Sequence, residues 1–418
     1  MSRELPWERL GNLATVKAGA TPARKNGDRF YIGGTINWVK TGDLNNGRLY
    51  ATEERVTEEA VNETSLSVHP PGTVLVAMYG GLQQIGRSAL LECPATTNQA
   101  ISALIPDRNK MLGEFLNYCL VSLRPNWRKV AASSRKDPNI TKQDVLDFQV
   151  PVPPLHEQRR IAEILSSVDG AIAATRSVIE QTKKVKQGVL ERLLTKGIGH
   201  TRFKQTEIGE IPEGWPLTSV DNVCTQVSVG IVIKPSQYYV ENGVRCFRSA
   251  NVREGFVEDA DWVYISEEGN RANRKSVLRT GDVLVVRTGY PGTSCVVPPR
   301  YDGANCIDII FARPKNELAD PYFLSTFINS ASGKTQVLKA EGGLAQKHFN
   351  VGAMKQMKLP LPPLNEQQEI VAHVQEFAST EAALQRNLEQ QMGFKSALMS
   401  DLLTGRKRMP DTVPMAAE

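Results

Sequence analysis

The chain has 418 residues, 41% of them apolar and 23% charged, with a formal net charge of +5. That balance belongs to a folded protein of two or three domains and excludes wholesale disorder. No apolar signal core follows Met1 and no run nears the ~18 apolar residues of a membrane span, so a cytosolic chain with no membrane partner is expected.

Residues 1–150 carry short Val/Ile/Leu runs such as Val74–Val76, punctuated by Gly, Asn and Pro, with a helical segment near Leu112–Leu123. This pattern predicts a mixed α/β domain. At Pro151–Ile161 the sequence P-V-P-P-L-H-E-Q-R-R-I opens a long helical period. Steps of four and three from Ile161 reach Leu165, Val168, Ile172, Thr175, Ile179, Thr182, Lys186, Val189 and Leu193. That is a coiled-coil seam rather than a globular helix pattern. Prolines fix the entry, Glu157 lies in the first turn where the dipole favours an anion, and Gly197 marks the stop. The helix of segment 151–197 is about 40 residues long, hence about 60 Å.

Residues 198–215, rich in Gly, Pro and charge, read as a linker. A second mixed domain is expected over 209–358, with strands at Val283–Val286 and Ile307–Phe311 and a helix near Pro321–Ser330. Segment 360–405 opens with P-L-P-P-L-N-E-Q-Q-E-I at Pro360–Ile370 and ends at Gly405. Its seam runs through Ile370, Val374, Phe377, Glu381, Leu384, Leu388, Gln391, Lys395, Leu398 and Leu402. Residues 406–418 read as a basic, then flexible tail. Its Arg406–Arg408 suit a cap on the helix dipole, with DNA or a partner as alternatives.

The two Pro-rich elements lie 209 residues apart and share seven of eleven positions. The globular parts repeat as well. Trp38–Gly47 aligns with Cys246–Gly255, Gly72–Gly80 with Gly281–Gly289, and Asn98 falls opposite Asn305. The chain is therefore built twice. Neither helix is stable alone on one apolar stripe. The economical solution packs the two stripes on each other, antiparallel if a two-fold relates the halves; the alternative packs each helix on a partner chain.

Chemistry is conspicuous by its absence. There is no G-x-x-x-x-G-K-[ST], no G-x-G-x-x-G, no N-P-P-[FY] and no G-x-S-x-G. The six cysteines are scattered without a C-x-x-C pair, and neither they nor the five histidines show metal-ligand spacing, so no metal site is expected. What remains are basic and amide-rich loops. The first half offers Lys40, Gln83, Gln84, Arg87, Arg128, Arg135 and Lys136, and the second offers Arg245, Arg248, Arg253, Arg287, Gln346, Lys347 and His348. Arg, Gln and Asn read base edges, while Lys and Arg neutralise phosphates. The recurrence of a cation at Lys40 and Arg248 singles out that pair. Glycines at 42, 80, 81, 86, 289 and 292 either allow close backbone approach or make turns.

The twin P-x-P-P-L-x-E-Q elements, each opening a long helix closed after Leu-Leu-Thr, resemble the specificity subunit of type I restriction–modification systems. So does the segment from Gly197 to Trp215. The resemblance implies an α+β fold with two similar mixed α/β target recognition domains, separated by two long antiparallel coiled-coil helices in a pseudo-two-fold repeat. It further implies that each domain reads half of a bipartite double-stranded DNA site and that the helices set the spacer. Two modification subunits would bring S-adenosylmethionine and methylate adenines, and restriction/translocase subunits would use ATP and Mg. The chain itself would carry no catalytic residue, metal or cofactor. The rival reading is a non-catalytic coiled-coil scaffold joining two protein-binding modules.

Overall fold

In the computed structural model, which describes residues 5–131, 139–341 and 349–409, the continuous apolar runs are strands covered on both faces. The chain divides into two units, Met1–Arg176 with Arg386–Glu418, and Ser177–Gln385.

The strands of the first unit are β1 (Trp7–Arg9), β2 (Ala14–Ala18), β3 (Ile36–Val39), β4 (Arg48–Leu49), β5 (Arg55–Val56), β6 (Val74–Ala77), β7 (Ser88–Leu91), β8 (Ala95–Thr97), β9 (Ile101–Pro106) and β10 (Gln149–Pro151). The main sheet has the order β2-β9-β6-β7-β4, a smaller sheet β5-β3-β8, and β1 pairs with β10. Along β6, Val74 and Val76 join a cluster with Phe115 and Trp127, while Leu75 and Ala77 join Val39, Leu44 and Leu91. Side chains alternate along a strand, so two apolar faces produce an unbroken apolar run.

The second unit repeats this plan with β11 (Phe203–Thr206), β12 (Gly209–Pro212), β13 (Leu217–Ser219), β14 (Cys224–Val229), β15 (Tyr239–Val240), β16 (Val244–Phe247), β17 (Val252–Arg253), β18 (Phe256–Val257), β19 (Val263–Ile265), β20 (Val283–Val286), β21 (Ser294–Val296), β22 (Asn305–Cys306), β23 (Ile309–Pro314) and β24 (Lys358–Pro360). Its main sheet is β14-β23-β20-β21, its second sheet β15-β19-β16-β22, and β13 closes on β24 as β1 does on β10. Val283 and Val285 face one core, Leu284 and Val286 the other.

Register corrects one alignment. Trp38 pairs with Thr96 across the parallel β3–β8 ladder, and Cys246 pairs with Asn305 across β16–β22. Asn305 is thus the counterpart of Thr96, and Asn98 that of Ile307: both donate their N–H to the last residue of the facing strand, Val39 or Phe247. Two asparagines two positions apart had mimicked a match.

The long helices span Leu155–Lys196 and Leu364–Leu403. Every seam position named above escapes full exposure, and from Val374 to Lys395 the seam residues are the only ones that do. In the first unit Asp169 pairs with Lys395 and Arg176 reaches Met392; in the second Lys186 pairs with Glu381 while Leu194 packs in one core with Ile370. Both pairings run antiparallel. Where the seam weakens mid-helix, three of its polar residues are in ion pairs, Lys186 with Glu381 and Lys395 with Asp169, and such pairs favour register over stability. Two similar mixed domains, two long antiparallel helices and an internal repeat are borne out.

The repeated Glu-Gln pair has a role beyond the helix dipole. Buried Gln158 accepts from Leu112 N–H (2.9 Å) and donates to the carbonyls of Lys110 and Pro153 (both 2.9 Å). Gln367 makes the same set with Asp320 N–H (2.8 Å) and the carbonyls of Leu318 and Pro362 (both 2.9 Å). Each glutamine ties a helix start to the connection that enters its domain's helix Gly113–Ser122 or Pro321–Asn329. Each glutamate holds the chain that follows the other long helix. Glu157 accepts from Arg408 and from Met409 N–H; Glu366 accepts from Ile198 N–H and Trp215 Nε1 and lies 2.9 Å from His200 Nε2. Residues 198–215, expected as a linker, accordingly form the β11–β12 hairpin and bury Ile211 and Trp215. Arg406 and Lys407 pair with Asp401, so all three basic residues after the second helix meet carboxylates.

One buried group gives a pH prediction. His69 is buried, its Nε2 has no hydrogen-bond partner among the described residues, and desolvation, aided by Lys17, holds its pKa below the ordinary value. As pH falls through ~6.5 the unfolded chain binds a proton that the folded one refuses. Stability present above that pH is therefore lost on acidification, by at most about 1.4 kcal/mol per pH unit from this group. Thermal unfolding between pH 7 and 5 should show a shallower decline for His69→Leu than for the parent; parallel curves would refute the assignment.

Candidate nucleic-acid interface

In an antiparallel sheet the end of one strand lies beside the start of the next. The ends of β2 and β6 and the starts of β9 and β7 thus share one edge of the first unit. The parallel β3–β8 pair brings the exit of β3 there too, since Asn98 N–H donates to Val39 O (2.9 Å). Four connections gather on this edge: Gly19–Thr21, Lys40–Asp43, Met78–Arg87 and Asn98–Ala100. A side chain at Gly19 would place its Cβ 2.0 Å from the Asn98 carbonyl, so the backbones can meet here only at glycine. In the second unit Gly230 is as close to the carbonyl of Cys306 (2.2 Å), the counterpart of Thr97, whose carbonyl also crowds Gly19 (2.5 Å).

Lys40, Gln83, Gln84 and Arg87 all fall on this edge. Lys40 Nζ donates to Glu54 Oε1 (2.6 Å), and Arg24 donates to the other carboxylate oxygen (2.7 Å). These bonds raise the Lys40 pKa and hold Glu54 below the usual carboxylate range. Gln83 is exposed, and its carbonyl accepts from Arg124. Gln84 is half-buried, with Oε1 unpartnered among the described residues. Arg87 is half-buried, and its main chain bonds Gln84 and Ala77.

On the matching edge of the second unit, Arg248 leaves β16 as Lys40 leaves β3. Its guanidinium donates to the Asp261 carbonyl, with Nε buried and unpartnered among the described residues. The recurrent cation therefore has a role inside the fold: each one grips the segment that leads into β5 or β19. Arg287 is held by Asp308 Oδ1 (2.8 Å) and the Phe349 carbonyl (3.3 Å). Arg253 lies on the β17–β18 ribbon, donates to the Val252 carbonyl (3.2 Å) and faces Glu258. Exposed Arg245 lies over the Trp262 and Tyr301 rings.

Arg135, Lys136, Gln346, Lys347 and His348, together with the Arg128 side chain, lie outside the described residues. The residues that follow them return to the same edges, where Ile140 N–H donates to Met78 O (3.1 Å) and Phe349 N–H to Arg287 O (3.3 Å). Sequence reasoning missed the apolar tips here. Leu82 is 49% exposed and Tyr290 84%, and glycines on either side in both loops were the available signal. Among the described residues, no group of three or more His, Cys, Asp or Glu could hold a metal ion, and no helix is long and apolar enough to cross a membrane.

Both units thus offer a loop edge of cations, amides and an apolar tip on a common scaffold. The family model described as the type I restriction modification DNA specificity domain matches residues 4–184 and 281–392. The chain belongs to this family. The type I restriction enzyme MjaVIII specificity subunit of Methanocaldococcus jannaschii is 29% identical over 315 residues, 73% of each chain. The putative MjaX specificity subunit of the same organism is 26% identical over 97% of this chain and 95% of its own. A chain solved in a study of complex assembly and conformational transition of the type I R-M system superposes with a TM-score of 0.64 at 18% identity, covering 97% of this chain and 100% of its own. The S subunit from M. genitalium gives 0.55 at 14% identity, covering 98% and 97%. These two likenesses concern the fold. The resemblance read from the P-x-P-P-L-x-E-Q elements is borne out, and the chain is a type I specificity subunit.

Proposed function

We propose that each unit of this specificity subunit reads one half of a bipartite double-stranded DNA site through its loop edge, and that the length of the two helices sets the spacer. The chain acts without catalytic residues of its own, in the cytoplasm, within a complex of two modification subunits and restriction/translocase subunits. Those partners supply the S-adenosylmethionine, ATP and Mg chemistry, including adenine methylation. The observation that carries the reading is the recurrence of one loop edge on two similar scaffolds, with side chains that differ between them: Met78 against Arg287, Gln99 against Asp308, Leu82 against Tyr290. A constant frame with unlike loops suits the reading of unlike sequences.

Comparing genomic adenine methylation with and without this gene tests it. One bipartite motif should vanish on deletion, and the purified subunit should bind duplex DNA with an affinity that falls steeply as salt rises. Unchanged methylation together with salt-independent or absent DNA binding would leave the scaffold reading in its place.

A further inference from the structure

The connection between β20 and β21 ends in an aromatic ring that nothing in its own unit covers. Tyr290 is 84% exposed, between Gly289 at φ 85° and Gly292 at φ 82°, and Pro291 follows it. The loop beneath is fixed. Gly292 N–H donates to Val286 O (3.0 Å), Thr293 N–H closes a turn onto Tyr290 O (3.2 Å), and Arg287 is clamped between Asp308 and the Phe349 carbonyl. The left-handed turns at Gly289 and Gly292 and the fixed φ of Pro291 set the course of the backbone that carries the ring. At the same place in the first unit, Leu82 stands 49% exposed between Gly81 and Gly86. Gly86 and Gly292 correspond, each donating its N–H to the last residue of the preceding strand, Ala77 or Val286. Two loops that differ in length and sequence thus both end in a large apolar side chain on the edge that carries the cations and amides.

We propose that Tyr290 is an apolar base-contacting residue, whose ring packs against the bases of the half-site read by the second unit, with Leu82 as its counterpart in the first. This rests on the reading of that edge as a DNA surface and adds a term unlike phosphate neutralisation. The ring adds affinity by apolar contact with base edges in the groove, such as a thymine methyl, with no need of its hydroxyl.

The test uses the full subunit co-purified with its modification subunits and a duplex carrying the methylated motif found in the host genome, over a range of salt concentrations. Tyr290→Ala should weaken binding about tenfold. The slope of affinity against salt should stay that of the parent, because no phosphate contact is lost. Tyr290→Phe should bind like the parent. Parental affinity in Tyr290→Ala would overturn the proposal while leaving the DNA reading intact. So would equal losses in the Ala and Phe variants, which would indicate a hydroxyl contact, or a loss of modification-subunit binding with no change in DNA affinity. If the parent complex itself shows no salt-dependent binding, the DNA reading fails and this proposal falls with it.

Discussion

Replacing Gln367 by leucine is expected to destabilise the second unit by about 3–5 kcal/mol, one of the larger losses a single side chain can cause here. The two residues have similar volume, so the loss is not one of packing. Fully buried Gln367 accepts from Asp320 N–H and donates to the carbonyls of Leu318 and Pro362. Leucine forfeits three hydrogen bonds and leaves main-chain groups without their partner, that of Pro362 in a buried place and those of Asp320 and Leu318 in part-buried ones. Each such group costs about 1–3 kcal/mol, more than the bond is worth net. For a unit of this size the melting temperature should fall by roughly 10 °C. Gln158→Leu should do the same to the first unit, since Gln158 makes the equivalent bonds. Exposed Gln368→Leu is the control and should change stability by less than about 0.5 kcal/mol. Denaturant unfolding in which Gln367→Leu matched that control would show that the repeated glutamine is not what joins helix to domain.

The helix seams were legible because a period of 3.5 residues survives any surface divergence: the positions counted from Ile161 and Ile370 are those kept from solvent. The doubled architecture was legible from the Pro-rich elements for the same reason. The partners of Glu157 and Glu366 were not, because they stand 251 and 151 residues away at Arg408 and Trp215, and local pattern carries no information about such contacts. The hairpin over 203–212 was hidden because two buried side chains, Ile211 and Trp215, suffice to fold a segment that otherwise reads as polar. At the loop edges, residue type singled out cations and amides without revealing which of them the fold itself engages. Lys40 and Arg287 are each engaged by a carboxylate of their own unit, and that depends on tertiary placement of Glu54 and Asp308. Tyr290 went unremarked because a lone exposed aromatic is unexceptional until its loop is seen to be fixed and its neighbours identified.

Exchanging residues 1–150 for the corresponding segment of another specificity subunit is expected to change one half of the methylated motif and leave the other as it was. The segment is closed by its own ends, since Trp7–Arg9 pair with Gln149–Pro151 in the β1–β10 ladder. Gln158 grips the domain through the main chain of Lys110 and Leu112, which any replacement supplies. Besides the apolar side chains that pack with Ile161, Leu165 and Met399 in one core, a polar contact that depends on sequence is Tyr118, whose hydroxyl donates to Asp169 (2.8 Å) beside Lys395. Replacements with a hydrogen-bonding aromatic at that position should fold well, and those without one should lose stability before they lose specificity. Each mismatched base pair costs about 1–3 kcal/mol, so a half-site of several base pairs shifts the preferred sequence by a thousandfold or more. Methylome sequencing of a strain carrying the exchange reads the outcome directly. Retention of the original motif, or alteration of both halves, would contradict two independently reading units. Alteration of the first half alone would place its readout in residues 1–150, and the edge carrying Gln83, Gln84 and Leu82 would then be the place to engineer it.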